Sequence, residues 1–392
     1  MKRVVVGLIG SGFISRVHME SYKKVYGLDV WVKALAARTK STRDAFAAAY
    51  GIQDVYEDYT DMLKDSEIDV VDICTPPFLH EEMIVTAMKS GKHVICEKPL
   101  TGFFDDGGED AGNVGHTVPK AEMYKKVLSR LDNIKKVIDD SSSIFMYAEN
   151  WIYAPTVQKS MRLIEAKKSK ILLMHAEESH CGSHASHAAN WKYTGGGVLI
   201  RQGCHPLSAV LYLKQAEAKA RGEKIDPVSV IADCGVCSAA VRGDERKHLD
   251  LNPIDVEDVA SVAITFSDGT KAHILSGDMV VGGIRNIIDV YTNDSAFHCR
   301  INPNDTMTAY HGSEAGLENV HFTEKLGTKQ GWQYLSIDEE AARGYVGEFQ
   351  DFMECVASGR QPMSDFKIAY DTANIVYAAY QSAQEDRRVH LK

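Results

Sequence analysis

The first fifteen residues constrain the fold most. A short apolar run, Arg3 to Gly7, leads into Gly7-Leu-Ile-Gly10-Ser-Gly12-Phe-Ile-Ser15, and a helical pattern then runs from Phe13 to about Tyr26. At a strand-to-helix turn, Gly10 permits the tight bend and Gly12 lets the backbone approach a pyrophosphate. Ser15 is small enough for the third position, where helix packs on strand. The first helical turn, including Phe13 and Ile14, presents unpaired N–H groups and the positive dipole end to such a phosphate. A dinucleotide site built from Gly10, Gly12, Phe13 and Ile14 is therefore expected.

The chain beyond Tyr26 keeps to that plan. Strands are predicted at Val30–Ala36, Val70–Ile73, His93–Cys96 and Ile144–Ala148, and helices at Ser41–Tyr50, Glu81–Ser90 and residues 120–139. Such alternation predicts an α/β domain, a doubly wound parallel sheet with helices on both faces. Residues 101–119 depart from it. Their Gly and Asp content fits either a functional or interface loop or a disordered one. After Trp151 the pattern changes. Helical stretches at Thr156–Lys167 and Val198–Ala218 precede strand-like runs at Val228–Ala239, Val259–Phe266, Thr270–Ser276, Ile287–Tyr291 and Ala296–Ile301. Turn signals between these runs predict an antiparallel meander. Helices over Ala341–Ala357 and Ile368–Gln384 close the chain. A length of 392 residues suits two cores better than one. The boundary is placed between 1–149 and 150–392.

Composition narrows the partners. With 54 Asp and Glu against 44 Lys and Arg, the net charge is −10, which argues against nucleic acid or an anionic membrane surface. No apolar run is long enough to span a bilayer. The run after Met1-Lys2-Arg3 is broken by three glycines and lacks a cleavage site, so a cytoplasmic location is expected. Among eight cysteines only Cys234-Gly-Val-Cys237 has metal-like spacing, and no second pair matches it. Buried reduced thiols are the expectation.

The second predicted strand ends in Ala36-Ala37-Arg38-Thr39-Lys40, without the acid that usually holds an NAD ribose 2′-hydroxyl. Arg38 and Thr39 can instead hold a 2′-phosphate, a slight lean from NAD towards NADP. Arg38 stacking on adenine would suit either cofactor.

Cys96-Glu97-Lys98-Pro99-Leu100 sits at the carboxyl edge of the sheet, where ligands bind in such folds. With Gly10-Ser-Gly12, Thr75-Pro76-Pro77, His80, Trp191 before Gly195-Gly196-Gly197, and His205 within GGGVLIRQGCHPLS, this Glu-Lys-Pro resembles the hallmark of the Gfo/Idh/MocA oxidoreductases. The resemblance extends to the closing AYDTANIVYAAYQSAQEDRRVHL and covers all but residues 101–119. It implies a Rossmann domain followed by a substrate-binding and oligomerisation domain, α+β with an open, mostly antiparallel sheet. It further implies that Lys98 points at the reacting hydroxyl, that Glu97 helps hold the cofactor, and that Thr75, Pro76 and His80 line the nicotinamide side. The open sheet implies a homodimer or homotetramer.

The chemistry asks for these residue types. Removing hydride from a carbinol requires a neighbouring base to take the hydroxyl proton. His205 has the intrinsic pKa for that task, and Lys98 can polarise the oxygen. If a regular helix starts near Gly197, then Arg201, His205 and Ser208 share a face, although Pro206 interrupts it. Many of the resembled proteins carry Asp where Arg201 stands. Arg201 near His205 would keep the imidazole neutral, or grip a carboxylate or phosphate on the substrate. In the latter case Arg201→Ala would raise KM selectively for acidic substrates.

HAEESHCGSHASHAANW contributes His180, His184 and Asn190 as hydroxyl readers, with Trp191 packing near sugar or nicotinamide. Its imidazoles and Glu177 offer a metal set, but the resembled family does not generally need one and none is expected. Glu149, Asn150 and Tyr153 are further substrate-wall candidates. The expected function is an NAD(P)-dependent oxidoreductase acting on a secondary alcohol of a sugar, glycoside or cyclitol. A glycosidase or lyase working through a transient keto-sugar, with His180 or His184 as extra base, is the alternative. A non-catalytic cofactor-binding sensor is the third reading.

Overall fold

A computed structural model describes residues 2–391 except 105–112, 184, 246–247, 250–251, 303–306, 321, 323–326 and 336–337. The chain begins with β1 (Arg3–Ile9), α1 (Phe13–Tyr22), β2 (Asp29–Ala36), α2 (Lys40–Tyr50), β3 (Asp54–Tyr56), α3 (Tyr59–Met62), β4 (Val70–Ile73), α4 (His80–Lys89) and β5 (His93–Glu97). A short α5 (Val114–Thr117), the long α6 (Lys120–Asp139) and β6 (Phe145–Ala148) complete the first half. Its six strands are ordered β3-β2-β1-β4-β5-β6 and pair in parallel throughout. All four residues of β4 and of β6 are buried, as expected of strands covered on both faces. Chain direction across the sheet reverses between β1 and β4, which opens a crevice at their carboxyl ends. β3 and α3 were not anticipated, being too short to show a period.

The second half runs α7 (Asn150–Tyr153), α8 (Pro155–Lys167), β7 (Ile171–Ser179), α9 (Trp191–Thr194), α10 (Cys204–Arg221), β8 (Pro227–Gly235), β9 (Val259–Phe266), β10 (Lys271–Gly277), β11 (Arg285–Thr292) and β12 (Ala296–Arg300). It ends in β13 (Met307–His311), β14 (Gly331–Leu335), α11 (Glu339–Arg343), α12 (Tyr345–Ser358), α13 (Phe366–Glu385) and β15 (Val389–His390). The large sheet is ordered β12-β11-β7-β10-β9-β8-β15. It is not the simple meander expected, because β7 inserts between β10 and β11 and pairs with β10 in parallel. Alternate residues of β9 and β10 are buried, so one face packs on α10 and α13. The other face carries exposed Ile231, Leu275 and Tyr291. β13 and β14 form a separate hairpin bearing exposed Tyr310, Trp332 and Tyr334.

The last helices join the two halves. Phe349 of α12 packs its ring 4.6 Å from both His18 and Tyr22 of α1. The stems of the 101–119 loop are tied down as well. Phe103 N donates to the Tyr377 hydroxyl (2.6 Å), which donates to Gly195 O (2.5 Å). Asp255 accepts from Gly115 N (2.9 Å) and Trp191 N (2.7 Å). Cysteines are mostly buried as expected, but Cys237 is exposed, and none is in a disulfide.

Candidate active site

The Gly-rich turn is built as its sequence requires. Gly10 has φ +114°, and a Cβ there would lie 2.4 Å from Cys74 O. Gly12 has nothing within 4 Å of where its Cβ would be. It opens α1 with no side-chain cap and no acid in the first turn, so the helix N-terminus is left available to an anion. Phe13 is 70% exposed beside it, Ile14 is partly buried, and Ser15 is fully buried under the helix. Arg38 and Thr39 are exposed at the end of β2, and Ser11 Oγ bonds Thr42 Oγ1 across from them at 3.2 Å. This cradle fits a dinucleotide: an open backbone, an uncapped helix and no carboxylate at the strand end.

Behind it lies a polar chain that the sequence did not announce. His18 Nδ1 meets Asp72 at 2.9 Å and its Nε2 meets Glu97 Oε1 at 3.0 Å, while the Tyr22 hydroxyl donates to Asp72 at 2.9 Å. Burial works against a charged His18, but Asp72 and Cys74 outweigh it and hold the imidazole well above its ordinary pKa. Glu97 accepts the Lys98 backbone N–H at 2.9 Å through its other oxygen. His18 and Tyr22 stand four apart on one helix face, the one signal that could have found them. The carboxyl of nearby Glu348 is buried and has no hydrogen-bond partner among the described residues, and burial raises it well above the usual range.

His80 is fully buried rather than lining an open wall. Its ring nitrogens face Pro99 O and Thr75 O, each at 2.9 Å. It braces the Thr75–Pro76 turn, where Pro76 is exposed, against the Lys98–Pro99 turn.

Lys98 and His205 come together. The Lys98 ammonium donates to Arg201 O at 2.9 Å, in the turn preceding His205. His205 Nδ1 lies 2.6 Å from Glu149 Oε1, and its ring stacks on Trp151 (6.0 Å, 14°). Burial first, then the charges of Lys98 and Arg343, hold the imidazole well below its ordinary pKa. Burial drives Glu149 up, opposed by Lys98. Both shifts have burial as their main cause, and the lowered pKa keeps His205 neutral. Its Nε2 has no hydrogen bond among the described residues. Glu149, Cys204 and His205 lie close enough to share an ion, but burial resists the charged forms of the Glu149 carboxyl and the Cys204 thiol, the forms in which they would bind a cation.

The expected face of Arg201, His205 and Ser208 is not formed. Residues 199–203 make a π-helical turn, whose extra residue rotates the faces apart. Arg201 pairs with Asp278 at 2.5 Å, and Ser208 bonds Thr372 at 2.9 Å. The cations acting on His205 are Lys98 and Arg343, not Arg201. Its acid partner is Glu149, from the end of β6.

Other candidates separate. His180 Nδ1 lies 3.6 Å from Asp278, which also accepts from Gln202 Nε2 at 2.5 Å, so His180 and Arg201 share one carboxylate. Strand parity turns Glu177 to the open face, where Arg285 holds it at 2.6 Å, away from a metal set with the histidines; buried Glu178 faces inward instead. Asn150 and Tyr153 are committed to the fold, not to an open wall. Asn150 Nδ2 donates to Arg343 O (2.8 Å), and the Tyr153 hydroxyl donates to Asp351 (2.8 Å) and accepts from Ser364 N (3.0 Å). Trp191 is likewise buried, between Tyr380 and the Lys120 ammonium 3.9 Å from its ring. His184 lies outside the described residues.

Known proteins agree with this architecture. Residues 4–121 match the model of an oxidoreductase family with an NAD-binding Rossmann fold, and residues 169–297 match the GFO/IDH/MocA C-terminal domain. Levoglucosan dehydrogenase of Pseudarthrobacter phenanthrenivorans is 24% identical, with 100% of this chain and 99% of that one covered. Myo-inositol 2-dehydrogenase of Thermotoga maritima is 22% identical over 99% and 98%. The crystal structure of GenD2 from gentamicin A biosynthesis, in complex with NAD, superposes with a TM-score of 0.77 at 19% identity, covering 100% and 97%. Among the described residues, no helix is long and apolar enough to cross a membrane.

Proposed function

The chain belongs to the Gfo/Idh/MocA oxidoreductase family, and from that premise we propose that it transfers hydride between a nicotinamide dinucleotide and a secondary alcohol of a sugar, glycoside or cyclitol. One observation carries this reading. An amine and a neutral imidazole are delivered from two halves of the chain to one helical turn, with Glu149 holding the imidazole from behind.

A bound nicotinamide supplies the hydride acceptor. The residues of the chain handle the proton and the oxygen. His205 Nε2 takes the hydroxyl proton as the carbinol carbon loses hydride, and the resulting imidazolium is stabilised through Nδ1 by Glu149. The Lys98 ammonium donates to the oxygen as it becomes a carbonyl. Gly12 and the α1 N-terminus hold the pyrophosphate. The absence of an acid at the end of β2 supports acceptance of NADP, with Arg38 and Thr39 at the 2′-position.

Asp278 already compensates the Arg201 charge. Arg201, His180 and Asp278 therefore form a neutral donor–acceptor group suited to hydroxyls. On this reading Arg201→Ala raises KM for neutral and acidic sugars alike, in place of the selective effect that a free guanidinium would give. The names of the relatives, levoglucosan and myo-inositol 2-dehydrogenases, support an uncharged polyol. Unpaired cysteines fit a reducing compartment, the cytoplasm, and the open sheet face supports a homo-oligomer.

The deciding experiment is a panel of sugars, glycosides and inositols followed at the reduced-nicotinamide absorbance with NAD and NADP in turn. Turnover on a neutral polyol is expected. Release of an aglycone without net cofactor change would replace this reading with the keto-sugar glycosidase or lyase, and silence across the panel would favour a sensor.

A further inference from the structure

The turn that receives Lys98 is irregular for a reason written three residues further on. In a π-helical turn the N–H of residue i+5 bonds the carbonyl of residue i. Residues 199–203 have this geometry, and five residues after Arg201 stands Pro206. Proline has no N–H, so the i+5 donor that a π register would offer the Arg201 carbonyl is missing. That carbonyl is where the Lys98 ammonium donates, at 2.9 Å. Pro206 is itself buried in the first turn of α10, where a missing N–H costs the helix little.

The rest of the turn is fixed from several sides. Glu257 accepts from Gly197 N and Leu199 N, both at 2.9 Å, and from the Tyr380 hydroxyl at 2.8 Å. Asp278 takes the Gln202 amide and the Arg201 guanidinium. A Cβ on Gly203 would lie 3.0 Å from Ser276 Oγ. The turn so held presents the Arg201 carbonyl to the Lys98 ammonium, with the Cys204 thiol a longer second donor at 3.8 Å.

We propose that Pro206 is a positioning residue: by withholding its N–H it keeps the Arg201 carbonyl open as the anchor that holds the Lys98 ammonium beside His205. This rests on the reading of Lys98 as the amine at the reacting oxygen, while its first test needs no substrate. Any residue with an N–H at position 206 offers the carbonyl a competing donor and loosens Lys98.

The test uses the full chain with Pro206→Ala and Pro206→Ser, both of which restore the N–H. Wild type and variants are trace-labelled at fixed pH with acetic anhydride, and the acylation rate of Lys98 is read by peptide mass spectrometry. Lys64, an exposed lysine, serves as internal reference. The inference expects Lys98 to label several-fold faster in both variants, with a melting temperature equal to or above wild type. On a substrate found by the panel, kcat falls about tenfold while the dinucleotide KM holds, and the loss disappears in a Lys98→Met background. An unchanged labelling rate overturns the proposal, as does a kcat loss that persists without Lys98. Unfolding of both variants would also overturn it, by giving Pro206 its role in packing. Faster labelling in a protein that oxidises no alcohol would leave the anchor standing and remove the proposed function instead.

Discussion

His205 sits against Glu149 at 2.6 Å, and its neighbours decide how it titrates. Burial and the Lys98 charge lower its pKa from 6.5, so it binds a proton only at more acidic pH and stays a competent base as pH falls through 6.5. The acidic limb of kcat/KM, which reports the free enzyme, is accordingly expected below pH 6.5. Lys98→Met removes a repelling charge and should move that limb upward. A wild-type limb at or above 6.5 would contradict a neutral imidazole. His205→Asn should lower kcat by about 10²- to 10⁴-fold, the usual share of a general base, with little change in melting temperature. Lys98 and His205 were legible because each lies in a recognisable local motif. Glu149 as the partner was not, since 56 residues separate it from His205 and only folding brings them into contact. His18 was missed for the same reason: its carboxylates come from β4 and β5.

The Gly-rich turn and the π turn behave differently as elements. Strand, turn and helix of the first follow from local sequence, so the two glycines make separable predictions. Gly12→Ala meets open space at φ −86°, so the apoprotein should melt as wild type does while losing most of its stabilisation by NAD(H) in a thermal-shift assay. Gly10→Ala, with φ +114° and Cys74 O at 2.4 Å, should lower the melting temperature itself. Equal ligand shifts in wild type and Gly12→Ala would sink the cradle as the phosphate site. The π turn could not be read from period. A helix of regular pitch was the natural expectation over Val198–Ala218, and only Pro206 hinted at a break. The extra residue is held by Glu257, Asp278 and Tyr380, all distant in sequence.

At the scale of the whole molecule, the chain folds back on itself. α12 packs on α1, Tyr147 N of β6 bonds Ser364 O at 3.0 Å, and Tyr377 of α13 links Phe103 to Gly195. A simple cut near residue 150 therefore separates the sheets but not the packing. On the open face of the large sheet Leu275 and Tyr291 stand exposed among His175, His273 and the Glu177–Arg285 pair, and this is the face proposed above to meet a second copy. Leu275→Glu should shift light scattering from oligomer towards monomer and leave the dinucleotide-induced thermal shift intact. A monomeric wild type would dismiss this face as an interface.

Local order set what the sequence alone could fix: the Gly-rich turn, the Glu-Lys-Pro at a strand edge, most strands and helices, and hence a parallel α/β layer followed by a second sheet. These depend on neighbours a few residues apart, whose periods and turn chemistry survive in one dimension. The tertiary structure decided the rest. It turned Arg201 to Asp278 and Glu177 to the open face, sank Tyr153 and Trp191 into the core, placed β7 between β10 and β11, and gave His205 its acid. Each of those outcomes is a choice among partners far apart in the chain, made by burial and by the need to satisfy buried polar groups, and no local pattern records it.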